Sequence, residues 1–372
     1  MKKRSHSENE NKDRLSNLPD SVILHILSFL NTKHVVQSCV LSTRWKHLWK
    51  CIPTLILHSS RFTTVKKFAS FVSNILTLRD TSSSLHALDL YLHGDIEPQL
   101  LTNYACSHNI PRILSCVSSC KALTSLKLSL GIGHFTTTLF PDSLNLPLLT
   151  NLDLTNFAFS AEPFSTFTKL NSLALHSCKI RNAKLLKISS EMLVNLTMHN
   201  SFDCVKIELS TPILCTFSFI GNLIQEISGS GLSSVKKVNI NTNDDPASLG
   251  DVSSPLNWLM LLSNVESLTV TSPILQILSL DPDLLVVKLF SLCKLKSLEV
   301  ELIPLRDGLL QLVKEAMLKK ADAKLRRAFK ARLKSHPIPD EIVDFLRQNL
   351  PSTEVKITTD FSTYFNLKQV VI

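Results

Sequence analysis

The chain has 372 residues, 44% of them hydrophobic and 19% charged, with a formal net charge of +9. That balance excludes wholesale disorder, which needs low hydrophobicity and high charge, and 8 Gly with 16 Pro exclude collagen-like or linker-dominated material. No apolar run reaches the roughly 20 residues of a membrane span, since stretches such as 256–262 and 284–298 are short or broken by Asn, Lys and Ser.

Residues 1–13 read as a disordered polar tail. Lys2, Lys3 and Arg4 lead into polar residues through Asn17, with no apolar signal core, so a cytoplasmic or nuclear setting is expected. The nine cysteines agree: an odd number, spread from Cys39 to Cys293 without a CxxC pair, reads as reduced thiols.

Residues 14–57 are helical in pattern. Leu18-Pro19-Asp20 opens a helix, with Pro at an early position where its missing N–H costs little. Val22, Ile23, Ile26, Leu27 and Leu30 follow at helical spacing. Asn31-Thr32 stops that helix, and Thr32 is the expected cap of a second carrying Val35, Val36, Cys39 and Val40. Ser42 is placed to cap a third helix with Trp45, Leu48 and Trp49. Three short helices bury too little apolar surface alone, so a partner or the following segment must complete them.

From residue 58 to 303 one pattern recurs: apolar, two residues, apolar, one residue, apolar. Its nine copies begin at Leu85, Leu123, Leu149, Leu170, Leu193, Leu214, Val235, Val265 and Leu295, at steps of 38, 26, 21, 23, 21, 21, 30 and 30 residues. Such periods fit leucine-rich repeats. The last two apolar residues of each copy point to one face of a short strand, and a repeat buries that face only by stacking on its neighbours. A curved parallel sheet about 40 Å long is expected, at ~4.8 Å per strand. The residues between the apolar ones then line a polar concave face. Its candidate target contacts are Lys127, Asp153, His176, Thr197, His199, Asn239, Thr269 and Glu299. His176 and His199 fall on neighbouring strands and read as a solvated pair without a carboxylate neighbour, not as a metal site.

Residues 304–336 turn helical, with Leu309, Val313, Met317, Ala321, Leu325, Phe329 and Leu333 four apart. The stretch 314–336 holds nine Lys/Arg against two acids, a net +7. The charges run round the helix with no aromatic beyond Phe329, which favours a solvated face over a nucleic-acid contact. Residues 337–372 read as a cap, with a short helix over 340–348 and a closing strand over 354–358.

Leu18-Pro19-Asp20, Ile26-Leu27-Ser28-Phe29-Leu30, Val35-Val36 and Val40-Leu41-Ser42-Thr43-Arg44-Trp45 together resemble an F-box, and Trp45-Lys46-His47-Leu48-Trp49 resembles its plant version. With the repeats behind it, the chain resembles the plant F-box/leucine-rich-repeat family. The ending from Ile338-Pro339-Asp340-Glu341 to Val355-Lys356-Ile357 is similar to tails of plant members. The resemblance implies an α/β chain: a three-helix F-box, a leucine-rich-repeat solenoid with a parallel sheet, and a helical C-terminal cap. It also implies the substrate-recognition subunit of a cullin-based ubiquitin ligase, docked on a Skp-type adaptor and holding a target protein on the repeats. Leu18, Pro19, Ile23, Ile26, Leu27, Leu30 and Trp45 would carry the adaptor contact, although the same residues also suit the core of a plain helical bundle.

Nothing in the chain argues for catalysis, a cofactor or a metal. Gly131-Ile132-Gly133 and Gly229-Ser230-Gly231 lack the third Gly of a dinucleotide fingerprint, and there is no phosphate loop, HExxH or GxSxG. Cys51 with His58, or Cys178 with His176, is close in sequence only. Two other readings stand beside the ligase receptor: an interaction scaffold without adaptor binding, and a nucleic-acid binder using the basic helix.

Overall fold

The computed structural model describes residues 18–80, 82–92, 113–114, 117–131, 138–142, 144–199, 204–221, 225–241, 258, 261, 264–272, 274–275, 294–302 and 353–358. The expected polar tail, the basic helix over 304–336 and the helix over 340–348 lie outside them. The chain divides into two compact units, residues 1–133 and 134–372.

In the first unit, α1 (Asp20–Leu27) starts directly after Pro19, whose extended backbone (φ −59°, ψ 148°) lets its carbonyl accept from the amides of Val22 and Ile23. The second helix, α2 (Thr32–Gln37), is capped one residue earlier than expected. Asn31 accepts from the Lys33 amide at 3.1 Å. Thr32 is thereby free to turn inward, where its hydroxyl accepts from the Ile56 amide at 2.9 Å. No α-helix forms over residues 42–49. The segment runs through 3-10 turns at Ser38–Val40 and Leu48–Cys51. Pro53 forces Ile52 into an extended conformation (φ −62°, ψ 135°), which denies a helix its last turn. Trp45 and Leu48, three residues apart, still bury together at the tighter turn spacing.

Two elements of this unit lack any counterpart in the repeat pattern: a strand, β1 (Thr54–His58), and a long helix, α3 (Val65–Leu78). Thr64 caps α3 by accepting from the Lys67 amide at 3.2 Å, and Phe68, Val72 and Ile75 bury along one stripe. At its end Arg79 donates to the carbonyls of Ile52 and Ser83, which ties the helix to the chain on both sides. Strands β2 (Ala87–Leu92) and β3 (Ser125–Leu130) follow, and β1, β2 and β3 pair in parallel with Leu55, Leu88 and Leu126 in one buried row. The F-box-like helices thus belong to one compact unit with the first repeat strands.

In the second unit the strands are, in chain order, β4 (Asn151–Thr155), β5 (Ala158–Phe159), β6 (Ser172–His176), β7 (Lys179–Ile180), β8 (Leu185–Ser189), β9 (Asn195–His199), β10 (Lys206–Ser210), β11 (Thr216–Ile220), β12 (Glu226–Ser230), β13 (Lys237–Asn241), β14 (Ser267–Thr271), β15 (Ser297–Glu301) and β16 (Glu354–Thr358). The main ladder runs β4-β6-β9-β11-β13-β14-β15-β16, one strand per repeat and the closing strand last. Its pairings are parallel, and the register sets Leu152, Leu173, Leu196, Phe217, Val238, Leu268 and Leu298 in one buried row. The first apolar residue of every repeat is buried as well. Five-residue strands buried at alternate positions and joined in parallel account for the recurring apolar triplet of the sequence.

A second, three-stranded parallel sheet, β8-β10-β12, was not expected from the repeats. Its signal is present in retrospect as the alternation Leu186/Ile188, Ile207/Leu209 and Ile227, all buried. Gly229 faces Leu209 in this sheet with φ +141°, and a Cβ there would sit 1.8 Å from the Leu209 carbonyl oxygen. No side chain fits without moving backbone. Gly229→Ala is therefore expected to cost about 2–3 kcal/mol, read as a lowered thermal midpoint; an unchanged midpoint would contradict this packing.

Candidate functional site

Helix α1 is apolar on two faces. Ile23 and Leu27, four apart, are fully buried inside the first unit. Val22 and Ile26, also four apart, lie on the other side and are each 40% exposed. The stripe continues past the helix end through Phe29 (70% exposed) and Leu30 (41%), held by hydrogen bonds from their amides to the carbonyls of Ile26 and Leu27. The His25 ring packs edge-on against Phe29 at 4.9 Å between centroids. Val40 (83%) and Leu41 (64%) add two more exposed apolar side chains. Arg44 fixes the entry to the helix, donating to Asp20 Oδ1 at 2.8 Å and to the Leu18 carbonyl.

The seven expected adaptor residues therefore divide. Ile23, Leu27 and Trp45 form internal core, Leu18 is half-buried, and Pro19, Ile26 and Leu30 are exposed. Val22, Phe29, Val40 and Leu41, outside the expected set, share the exposed apolar character. The sequence reading merged two stripes of α1 into one, because five apolar positions in nine residues cover more than a single face.

The second surface is the polar face of the ladder. In the second unit its central row is Asp153, Ala174, Thr197, Ser218, Asn239, Thr269, Glu299 and Lys356. The next row carries Thr155, His176, His199, Ile220 and Asn241, and then Thr271, Glu301 and Thr358. Lys127 belongs to the first unit, exposed on β3 opposite Asp89.

His176 and His199 are direct register partners, their rings edge to face at 5.7 Å. A carboxylate does accompany them: Asp153 Oδ1 lies 3.7 Å from His176 Nε2. Asp153 stands opposite Ala174, and that small side chain leaves the diagonal to His176 open. Burial, and secondarily the charge of His176, hold the His199 imidazole below the ordinary histidine range. Among the described residues no set of three or more His, Cys, Asp or Glu is placed to hold a metal ion.

Neither imagined nucleophile pair is assembled. Cys178 is fully buried, its thiol donating to the carbonyls of Leu154 and His176 at 3.5 Å, and burial pushes it up to about 12, so it stays protonated. Cys51 instead donates to Asp80 Oδ2 at 3.7 Å, while His58 Nε2 lies 3.4 Å from Asp89. Cys51 lines an open cleft of about 430 Å³ with His47, Lys50, Leu78, Arg79 and Asp80, which sequence reasoning did not anticipate. Among the described residues no helix is long and apolar enough to cross a membrane.

The lowered His199 value has a sign that stability must follow. The folded chain binds that proton less readily than the unfolded chain, so the stabilisation is present above the ordinary histidine value and is lost as pH falls. Unfolding by denaturant is expected to show flat stability above about pH 7 and a decline from roughly pH 6.5 downward. His176→Gln removes the neighbouring charge and should move the His199 titration upward, read by NMR of the imidazole carbons; no movement would contradict the pairing.

The family description of the F-box domain matches residues 15–56. An F-box/FBD/LRR-repeat protein of Arabidopsis thaliana is 28% identical over 281 residues, covering 71% of this chain and 63% of its own length. An FBD-associated F-box protein of the same plant is 26% identical over 74% of this chain and 68% of its own. An F-box/LRR-repeat protein, also from Arabidopsis thaliana, is 27% identical over 70% of this chain and 50% of its own. The chain thus spans less than two thirds of the first of these relatives. A helical module at the described F-box positions, followed by one parallel strand per sequence repeat, agrees with these likenesses: the chain carries an F-box match at residues 15–56 and is similar to plant F-box/LRR-repeat proteins.

Proposed function

We propose that this chain is the substrate-recognition subunit of a cullin-based ubiquitin ligase. The F-box docks on a Skp-type adaptor, and the polar face of the strand ladder holds a target protein. The observation that carries this reading is the second apolar face of α1. A contiguous exposed apolar patch marks an interaction site, and among the described residues the chain covers only the Ile23/Leu27 stripe of this helix. Pro19, Val22, Ile26, Phe29 and Leu30 are then the adaptor contact. Ile23, Leu27 and Trp45 support it from within by holding the helix in place.

We read the ladder of the second unit as the sheet of a leucine-rich-repeat solenoid. One strand per repeat and the relatives named for LRR repeats support that reading. Its polar face suits protein recognition, since it offers side chains of both hydrogen-bonding types on a rigid backbone. The chain contributes no catalytic group; ubiquitin transfer belongs to other subunits of the assembly. The cytoplasm and nucleus are the proposed compartments.

Co-purification with a Skp-type adaptor tests the reading. The double variant Ile26→Asp/Leu30→Asp is expected to reduce capture at least tenfold while leaving the thermal midpoint nearly unchanged, because both side chains are already exposed. Ile23→Ala should act differently, destabilising the first unit by about 2–4 kcal/mol. A folded wild-type chain that fails to bind the adaptor would sink the ligase reading and leave an interaction scaffold.

A further inference from the structure

Strands β13 and β15 carry hydrogen-bond acceptors that the ladder itself does not use. Asn241, at the end of β13, is 7% exposed, yet its Nδ2 reaches across β14 to donate to Glu301 Oε2 on β15 at 3.2 Å. That donation fixes the amide orientation and leaves Asn241 Oδ1 as the free end. Among the described residues this buried oxygen has no hydrogen-bond partner. Asn239, two residues earlier and on the same strand face, likewise has a buried Oδ1 without one.

Among the described residues, the charges nearby leave one carboxylate without a basic partner. Glu299 is already paired with Lys356 of β16, at 2.7 Å. Glu301 has no Lys or Arg partner among the described residues. Burial, then the charge of Glu299, pushes its carboxyl above the usual range, and only the Asn241 amide opposes that shift. An anion here would be repelled by both glutamates. An apolar group would leave two amide oxygens and a carboxylate unmet. The group whose chemistry matches these atoms is a cationic donor able to serve a carboxylate and an amide oxygen together. A guanidinium fits, because its five N–H groups form a planar fork and it has no acceptor to leave unsatisfied.

We propose that Asn239, Asn241 and Glu301 form a subsite for an arginine side chain of the bound protein. This deepens the reading of the ladder as the target surface and rests on it. The target class is then a segment presenting an exposed arginine to the β13–β15 part of the polar face.

Saturation-transfer NMR with the full chain tests this, using N-acetyl-arginine amide as the probe and N-acetyl-citrulline amide as its uncharged counterpart. The arginine side-chain methylenes are expected to receive saturation, and those of citrulline at least tenfold less. Glu301→Gln should abolish the arginine signal while keeping an acceptor for Asn241 Nδ2, with a matching thermal midpoint as the check on folding. Asn239→Ala, at a half-buried position, should weaken the signal at least threefold and serves as the second variant. No arginine signal, equal signals from the two probes, or a signal undiminished in both variants would overturn the subsite. Adaptor binding is read separately through the first unit, so a failed subsite and a failed ligase reading are distinguishable.

Discussion

The structure depends on one constraint: a repeat strand has an apolar side that it cannot bury alone. Leu173 and Leu175 of β6 are buried in rows that β4 and β9 continue with Leu152, Leu154, Leu196 and Met198. Each strand is therefore stable only in register with both neighbours. A slip of one residue would turn every leucine to the polar side. The same register places the functional side chains, since what lies between two buried leucines must stand on the opposite face. The pairing of His176 with His199 and the reach of Asn241 to Glu301 are consequences of a core that permits one alignment.

The first unit applies the same constraint to a smaller body. Its helices are too short to bury all their apolar residues, and they share one compact unit with β1, β2 and β3. Among the described residues, Ile23, Val35, Trp45 and Ile52 are buried, while Val22, Ile26, Phe29 and Leu30 are exposed. Core and contact face are thus two sides of one helix. A substitution on the inner side acts on binding through stability, and one on the outer side acts directly.

The repeat strands were legible because burial imposes a period of two on each strand, and the same apolar triplet returns every 21 to 38 residues. Every apolar triplet beginning at Leu85 and ending with Leu295-Leu298-Val300 lies where the pattern set it. What was not legible has specific causes. The three-stranded sheet carries the same alternation at Leu186/Ile188 and Ile207/Leu209, but its leading positions hold Ala183 and Cys204 in place of the Leu or Val that marks each repeat. The third F-box helix was expected from Trp45, Leu48 and Trp49, and the chain instead places a 3-10 turn over Leu48–Cys51, where the i, i+3 spacing of Trp45 and Leu48 buries both. Among the candidate contacts, the sequence named Asp153, His176 and His199 without bringing Asp153 to His176. That approach is a diagonal across strands and needs the register and the small Ala174 to be known.

The central claim is that the outward face of α1 is covered by an adaptor while the ladder stays free for a target. Hydrogen exchange of the intact chain, with and without a Skp-type adaptor, reads both halves at once. The account predicts new protection confined to residues 19–41, with β4 through β15 exchanging as before. Protection appearing on the ladder instead, or nowhere, would contradict it.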